Sequence, residues 1–203
     1  MALTTKLEAV NTMISVIGEA PINTLTGVSL PISAIQAQAA LEETSRAIQS
    51  EGWHCNTEHE YELTPDASSK RITLPANTLK FDLDPLLYTN VDPVQRGLKL
   101  YDRKNHTEQW DSSVKGTITF ELEFEDLPEQ IRHYVAVKAA RVFANRFIGT
   151  REIEGFTLRD EVEAKARAID SDSENADRTI FDSYSVLRVL DRQSDAVGRN
   201  KRS

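Results

Sequence analysis

The chain has 203 residues and a mass of 22.8 kDa, enough for one compact domain or two small ones with a real hydrophobic core. Its 24 Lys and Arg against 32 Asp and Glu give a net charge of −8, which opposes any general affinity for nucleic-acid phosphates or anionic lipid. Hydrophobic residues make up 39%, with no uninterrupted apolar run of the ~18 residues a membrane span needs. The first residues, MALTTKLEAV, show helical spacing rather than the apolar run of a secretory signal. Cys55, the single cysteine, can form neither an internal disulfide nor a cysteine-rich metal site and fits a reducing compartment.

In chain order, Leu7, Val10, Ile14 and Ile17 recur at intervals of three and four behind a Thr5/Glu8 capping box, predicting a helix over about 5–18. Gly18 and Pro21 end it. Pro31, Ser33 and Gln36 open a second helix with Ala37, Leu41, Thr44 and Ile48 on its buried face, closing at Gly52. The period then changes to two. Trp53, Cys55, Thr57, His59, Tyr61 and Leu63 fall on one side of a predicted half-buried strand. Shorter strand signals follow at 71–74, 79–83 and 98–101, and the clearest spans 117–125, where Ile118, Phe120, Leu122 and Phe124 alternate with polar residues.

Helical spacing returns after Pro128, with Asp126 and Glu129 as a second capping box and Ile131, Tyr134, Val135, Val142 and Phe143 on one face to about Phe147. A fourth helix from about Thr157 is expected to bury Leu158, Val162, Ala166 and Ile169. Two helices before and two after the β segment predict an α+β fold: a four-helix bundle from residues 1–52 and 126–170, an inserted antiparallel β module at 53–125, and a flexible C-terminal tail or docking segment at 171–203. From Asp170 onward 13 of 34 residues are charged, so the tail is expected to order only on a partner. Ile180, Phe181, Tyr184, Val186, Leu187 and Leu190 are its candidate docking residues for a partner or a second subunit, because their spacing can place them along a short helix.

Candidate chemistry is sparse. On a strand Cys55 and His59 would share a face but lie roughly 13 Å apart, too far for one metal ion, and His54 points the other way. His106 and His133 have no neighbouring Cys or His in sequence. Asp170, Asp172 and Glu174 begin like a calcium loop, but Asn175 stands where the turn glycine belongs and Phe181 where the glutamate belongs. Glu121, Glu123 and Glu125 on one side of a strand would be spaced at ~6.6 Å, a separation that could suit a glycosidase pair, yet they read better as solubilising carboxylates. Phosphate loops, nucleophile elbows and HExxH helices are absent from the sequence. Asn105-His106-Thr107 reads as a chance sequon. These readings name no catalytic, cofactor-binding or metal residue and expect no cofactor. Arg132, Lys138, Arg141 and Arg146 make helix three basic while Asp160, Glu161 and Glu163 make helix four acidic, so the two can pair within the bundle or across a subunit contact.

Several blocks in order resemble the tail tubular protein A, or tail adaptor, family of short-tailed podovirus phages. They are LEAVNTMISVIGEAPINTLTG, RAIQSEGWHCNTEHEYELTPD, RGLKLYDRKNHTEQWDS and LPEQIRHYVAVKAARVFANRFIGTREIEGF, running over roughly residues 7–170. The QSxGWxxN run and the helix ending in IGExP are the most specific. The resemblance implies a structural protein of the virion tail, assembled in the host cytoplasm: a homo-oligomeric ring of twelve under the portal protein, joined to the tail nozzle protein (tail tubular protein B), with tail fibres attached at the junction and DNA passing through without sequence-specific binding. The alternatives are a virion-associated polysaccharide or peptidoglycan hydrolase using a carboxylate pair, and a head-completion adaptor of a long-tailed phage.

Overall fold

A computed structural model describes residues 3–27, 30–84, 87–147 and 151–176. Helix α1 spans Lys6–Val16 and starts as its sequence dictates: the Glu8 amide donates to Thr5 Oγ1 at 3.2 Å while Glu8 accepts from the Thr5 amide at 2.8 Å. Helix α2 spans Ile32–Gln49 and buries Ala37, Leu41, Thr44 and Ile48. Gly52, at φ +82°, takes the left-handed conformation that turns the chain out of the helix.

The expected long strand from Trp53 begins later. His54–Asn56 form a 3-10 turn, and strand β1 is Thr57–Leu63 with a bulge between Glu58 and Tyr61 centred on Glu60 at φ 55°. The bulge breaks the period of two, so Tyr61 and Leu63 reach the β core while Glu58, His59 and Glu60 stay exposed. Strands β2 (Thr78–Leu83), β3 (Pro93–Arg96), β4 (Lys99–Asp102) and β5 (Val114–Phe120) follow, giving an antiparallel sheet of order β1-β5-β2 and a β3–β4 hairpin. The segment at 71–74 makes isolated bridges, Arg71 with Gln109 and Thr73 with Lys99, instead of a strand.

Strand β5 ends at Phe120 rather than 125, because a side chain takes over the pairing there: Gln49 donates to Leu122 O at 3.0 Å and accepts from Leu122 N at 2.7 Å. Glu121, Glu123 and Glu125 therefore do not line one side of a strand. Phe124–Asp126 form a second 3-10 turn, and helix α3 spans Glu129–Phe147. Glu129 does not close a capping box on Asp126; its carboxylate holds the Thr4 amide at 2.8 Å and hydroxyl at 2.6 Å.

Helix α4 spans Arg151–Asn175, starting before 157 and running past 170. Helices α1, α2 and α3 pack pairwise, whereas α4 lies on α3 and touches the 3-10 turn at His54–Asn56, so the observed arrangement is not a closed four-helix bundle. The expected face of α4 is reversed. Ala164 and Ala168 face inward, and Leu158 (48% exposed), Val162 (63%) and Ile169 (46%) face out, with Ala166 exposed beside them. Small side chains let the helix axes approach, and the Arg141–Glu161 pair fixes the rotation.

Two hydrophobic clusters result. One joins the helices to Trp53, Phe124 and Leu127, and the other lies within the β region around Phe81, Leu100, Trp110 and Ile118.

Candidate assembly surfaces

The basic residues of α3 are largely engaged inside the subunit. Arg132 is only 5% exposed, and its guanidinium donates to Leu127 O at 2.6 Å, to Thr4 O at 3.0 Å and to Glu125 O, which removes it from the candidate contact surface. Three carbonyls can hold a buried guanidinium because its donors fan out in a plane. Lys138 lies over the Tyr134 ring at 5.6 Å, as does Lys165 of α4 at 5.9 Å. Arg141 pairs with Glu161 in the same chain, and Arg146 forms a two-pronged bond with Glu43 of α2 at 2.8 and 3.0 Å. That bond lowers the Glu43 pKa and raises that of Arg146. On α4, Glu163 bonds Arg167 at 2.6 Å and Asp160 is exposed.

The groups with candidate chemistry are dispersed. Cys55 sits half-buried in the 3-10 turn against the helical core, while His59 is on the exposed side of β1 with Nδ1 3.2 Å from Thr117 Oγ1. Burial and then the nearby Asp172 carboxylate push the Cys55 thiol up to about 11, so it is protonated and weakly nucleophilic at neutral pH. Asp172 accepts the His54 amide at 2.7 Å, which gives that carboxylate a capping role; Asp170 and Glu174 lie on α4 with it, not in a calcium loop. Glu121 pairs with Arg46 at 3.0 Å. Among the described residues no group of three His, Cys, Asp or Glu could hold a metal ion.

What the sequence reading missed is a joint and a groove. Gln49, Trp53 and Asn56 form a buried polar joint between the helices and the sheet: Asn56 Nδ2 donates to Phe120 O at 2.8 Å and Gln49 O at 3.0 Å, and Trp53 Nε1 donates to Ile48 O at 2.8 Å. These residues are the QSxGWxxN run, so the signal was present but its work was not readable. The groove, of about 720 Å³, lies between α1 and α4 and is lined by Ala136, Val137 and Ala140 of α3 together with charged and polar residues of both signs, Glu8, His133, Asp160, Glu163 and Arg167 among them. The docking candidates Ile180, Phe181, Tyr184, Val186, Leu187 and Leu190 lie outside the described residues.

A chain with two cores, side chains consumed by internal pairing and open apolar surfaces on its helices has the features of a structural subunit built into a larger assembly. Comparison with known proteins defines which assembly. The family described as Tail tubular protein matches residues 7–178, and the chain belongs to that family. It is 33% identical over 144 residues to Tail tubular protein A of Klebsiella phage KP34, a match covering 69% of this chain and 72% of that protein. Its role is structural, in the tail of a bacteriophage virion.

Proposed function

We propose that the chain is the adaptor of a short tail: a ring of twelve copies between the portal protein and the tail nozzle protein, which passes DNA and offers an attachment site for tail fibres. It is assembled in the host cytoplasm and has no enzymatic role. The observation that carries this reading is the family match across residues 7–178, and the acidic chain, at −8, supports it because such a wall repels DNA phosphates. Of the charged residues expected at a subunit contact, we assign Asp160 and Glu163 to it, since both border an open groove, Glu163 beside its partner Arg167. Ile180, Phe181, Tyr184, Val186, Leu187 and Leu190 supply its apolar part.

Native mass measurement of the purified full chain, alone and with its portal protein, tests this. The expected result is a weakly associating subunit at low concentration and twelve copies on the portal. A stoichiometry other than twelve, or no binding to the portal, overturns it.

A further inference from the structure

Helix α4 packs inward through Ala164 and Ala168 and leaves Leu158, Val162, Ala166 and Ile169 exposed as a stripe along its other side. The shallow hollow between Leu158, Arg159, Val162, Glu163 and Ala166 is lined by α4 alone, so no other described element covers it. Two charges border the stripe. Arg159 and Asp170 are exposed, and among the described residues neither side chain enters an ion pair. The charges beside them are satisfied within the subunit: Glu163 bonds Arg167 at 2.6 Å and Lys165 bonds Glu51 at 3.3 Å.

The stripe and its two charges are self-complementary when the helix is turned end for end. Val162 and Ala166 stand two residues to either side of Ala164, Leu158 and Ile169 six and five, and Arg159 and Asp170 five and six. Leu158 and Ile169 are eleven residues apart, as are Arg159 and Asp170. Eleven residues make about three turns, so each pair keeps to one flank of the helix. We propose that α4 is a self-association surface: the stripes of two copies pack antiparallel about a twofold axis level with Ala164, with Arg159 of each copy against Asp170 of the other. That axis sets each flank against the same flank of the second helix, so Val162 meets Ala166 and Leu158 meets Ile169. A parallel pair would instead bring like charges together at both positions. Four side chains per copy bury less than the ~1,000 Å² of a stable interface, so the pair is weak and reversible. An isologous contact closes after two copies, so it joins free subunits and does not depend on the ring reading.

Sedimentation velocity of the full chain over a concentration series tests the pairing. The wild type is expected to show an equilibrium between monomer and dimer. Arg159→Asp and Asp170→Arg each replace two attractions by two repulsions, and each alone is expected to dimerise roughly tenfold more weakly. Mixed in equal amounts, the two variants oppose acid to base at both positions and are expected to recover wild-type association, as is one chain carrying both substitutions. Val162→Lys puts a charge at both central contacts. It is expected to abolish the dimer and to keep the melting temperature of the monomer, because Val162 is 63% exposed. Reversals that leave the dimer unchanged, or weaken it without recovery on mixing, overturn the pairing, since the stripe then meets a different surface. A Val162→Lys monomer that melts several degrees below the wild-type monomer also overturns it, since the stripe is then covered by its own chain. A wild type that stays monomeric, or passes from monomer to rings without a dimer, overturns the pairing and leaves the adaptor reading to its own test on the portal. A dimer that behaves as expected but never binds the portal protein overturns the adaptor reading and leaves the pairing intact.

Discussion

Arg132 carries a positive charge almost wholly out of water, which is tolerable only because three backbone carbonyls receive its donors. Those carbonyls come from Thr4, ahead of α1, and from Glu125 and Leu127, on the way into α3, so one side chain ties together the starts of both helices. Glu129 reinforces the tie by holding Thr4. A lysine there keeps the charge but presents a compact ammonium in place of a planar fork. Arg132→Lys is therefore expected to cost about 2–3 kcal/mol and to lower the melting temperature by roughly 5–10 °C. A melting temperature within 1 °C of the wild type would show that the three bonds contribute nothing. Sequence pattern made Arg132 a surface base, because the periodicity that places a residue on a helix cannot see a carbonyl arriving from another segment.

Strand β5 is the centre of its sheet, with Gly116 opposite Tyr61 on one side and Leu83 on the other. A Cβ built on Gly116 would lie 2.4 Å from Asp82 O and 2.7 Å from the Phe81 ring, and neither a backbone carbonyl nor a buried ring yields readily. Gly116→Ala is expected to destabilise the chain by about 1–3 kcal/mol in chemical denaturation, the usual cost of overpacking. An unchanged midpoint would mean that β2 moves freely away from β5. The alternation of Ile118 and Phe120 was legible because one face of the strand is buried, but the strand's end was not, because Gln49 is distant in sequence. Helix α4 shows the converse failure. Its large apolar residues form the stronger pattern, and the inward face is nevertheless the alanine row, since close approach to α3 and the Arg141–Glu161 pair decide the rotation.

Across the whole molecule, two hydrophobic clusters are joined through a few buried polar side chains. Gln49 pairs with both backbone groups of Leu122 as a neighbouring strand would, and Asn56 holds Phe120 O, so the chain leaving β5 is fixed to the end of α2. The middle of this run was partly readable, Gly52 as a helix stop and Trp53 as a residue on a buried side, though of an expected strand, yet its ends, Gln49 and Asn56, look like ordinary polar residues until the chain returns 64 to 73 residues later. If the joint couples the clusters, the intact subunit unfolds in one step, with calorimetric and van't Hoff enthalpies that agree. Gln49→Leu with Asn56→Leu removes the partners of buried peptide groups at Phe120 and Leu122, each a loss of about 1–3 kcal/mol, while leaving the side chains within both clusters in place. The double variant, measured as a monomer, is expected to melt in two transitions, monitored separately by near-ultraviolet signals from Trp53 in the helical cluster and Trp110 in the β cluster. A single transition shifted to lower temperature would instead show that the apolar contacts of Trp53, Phe124 and Leu127 suffice to couple the layers, and that the polar joint contributes stability without contributing cooperativity.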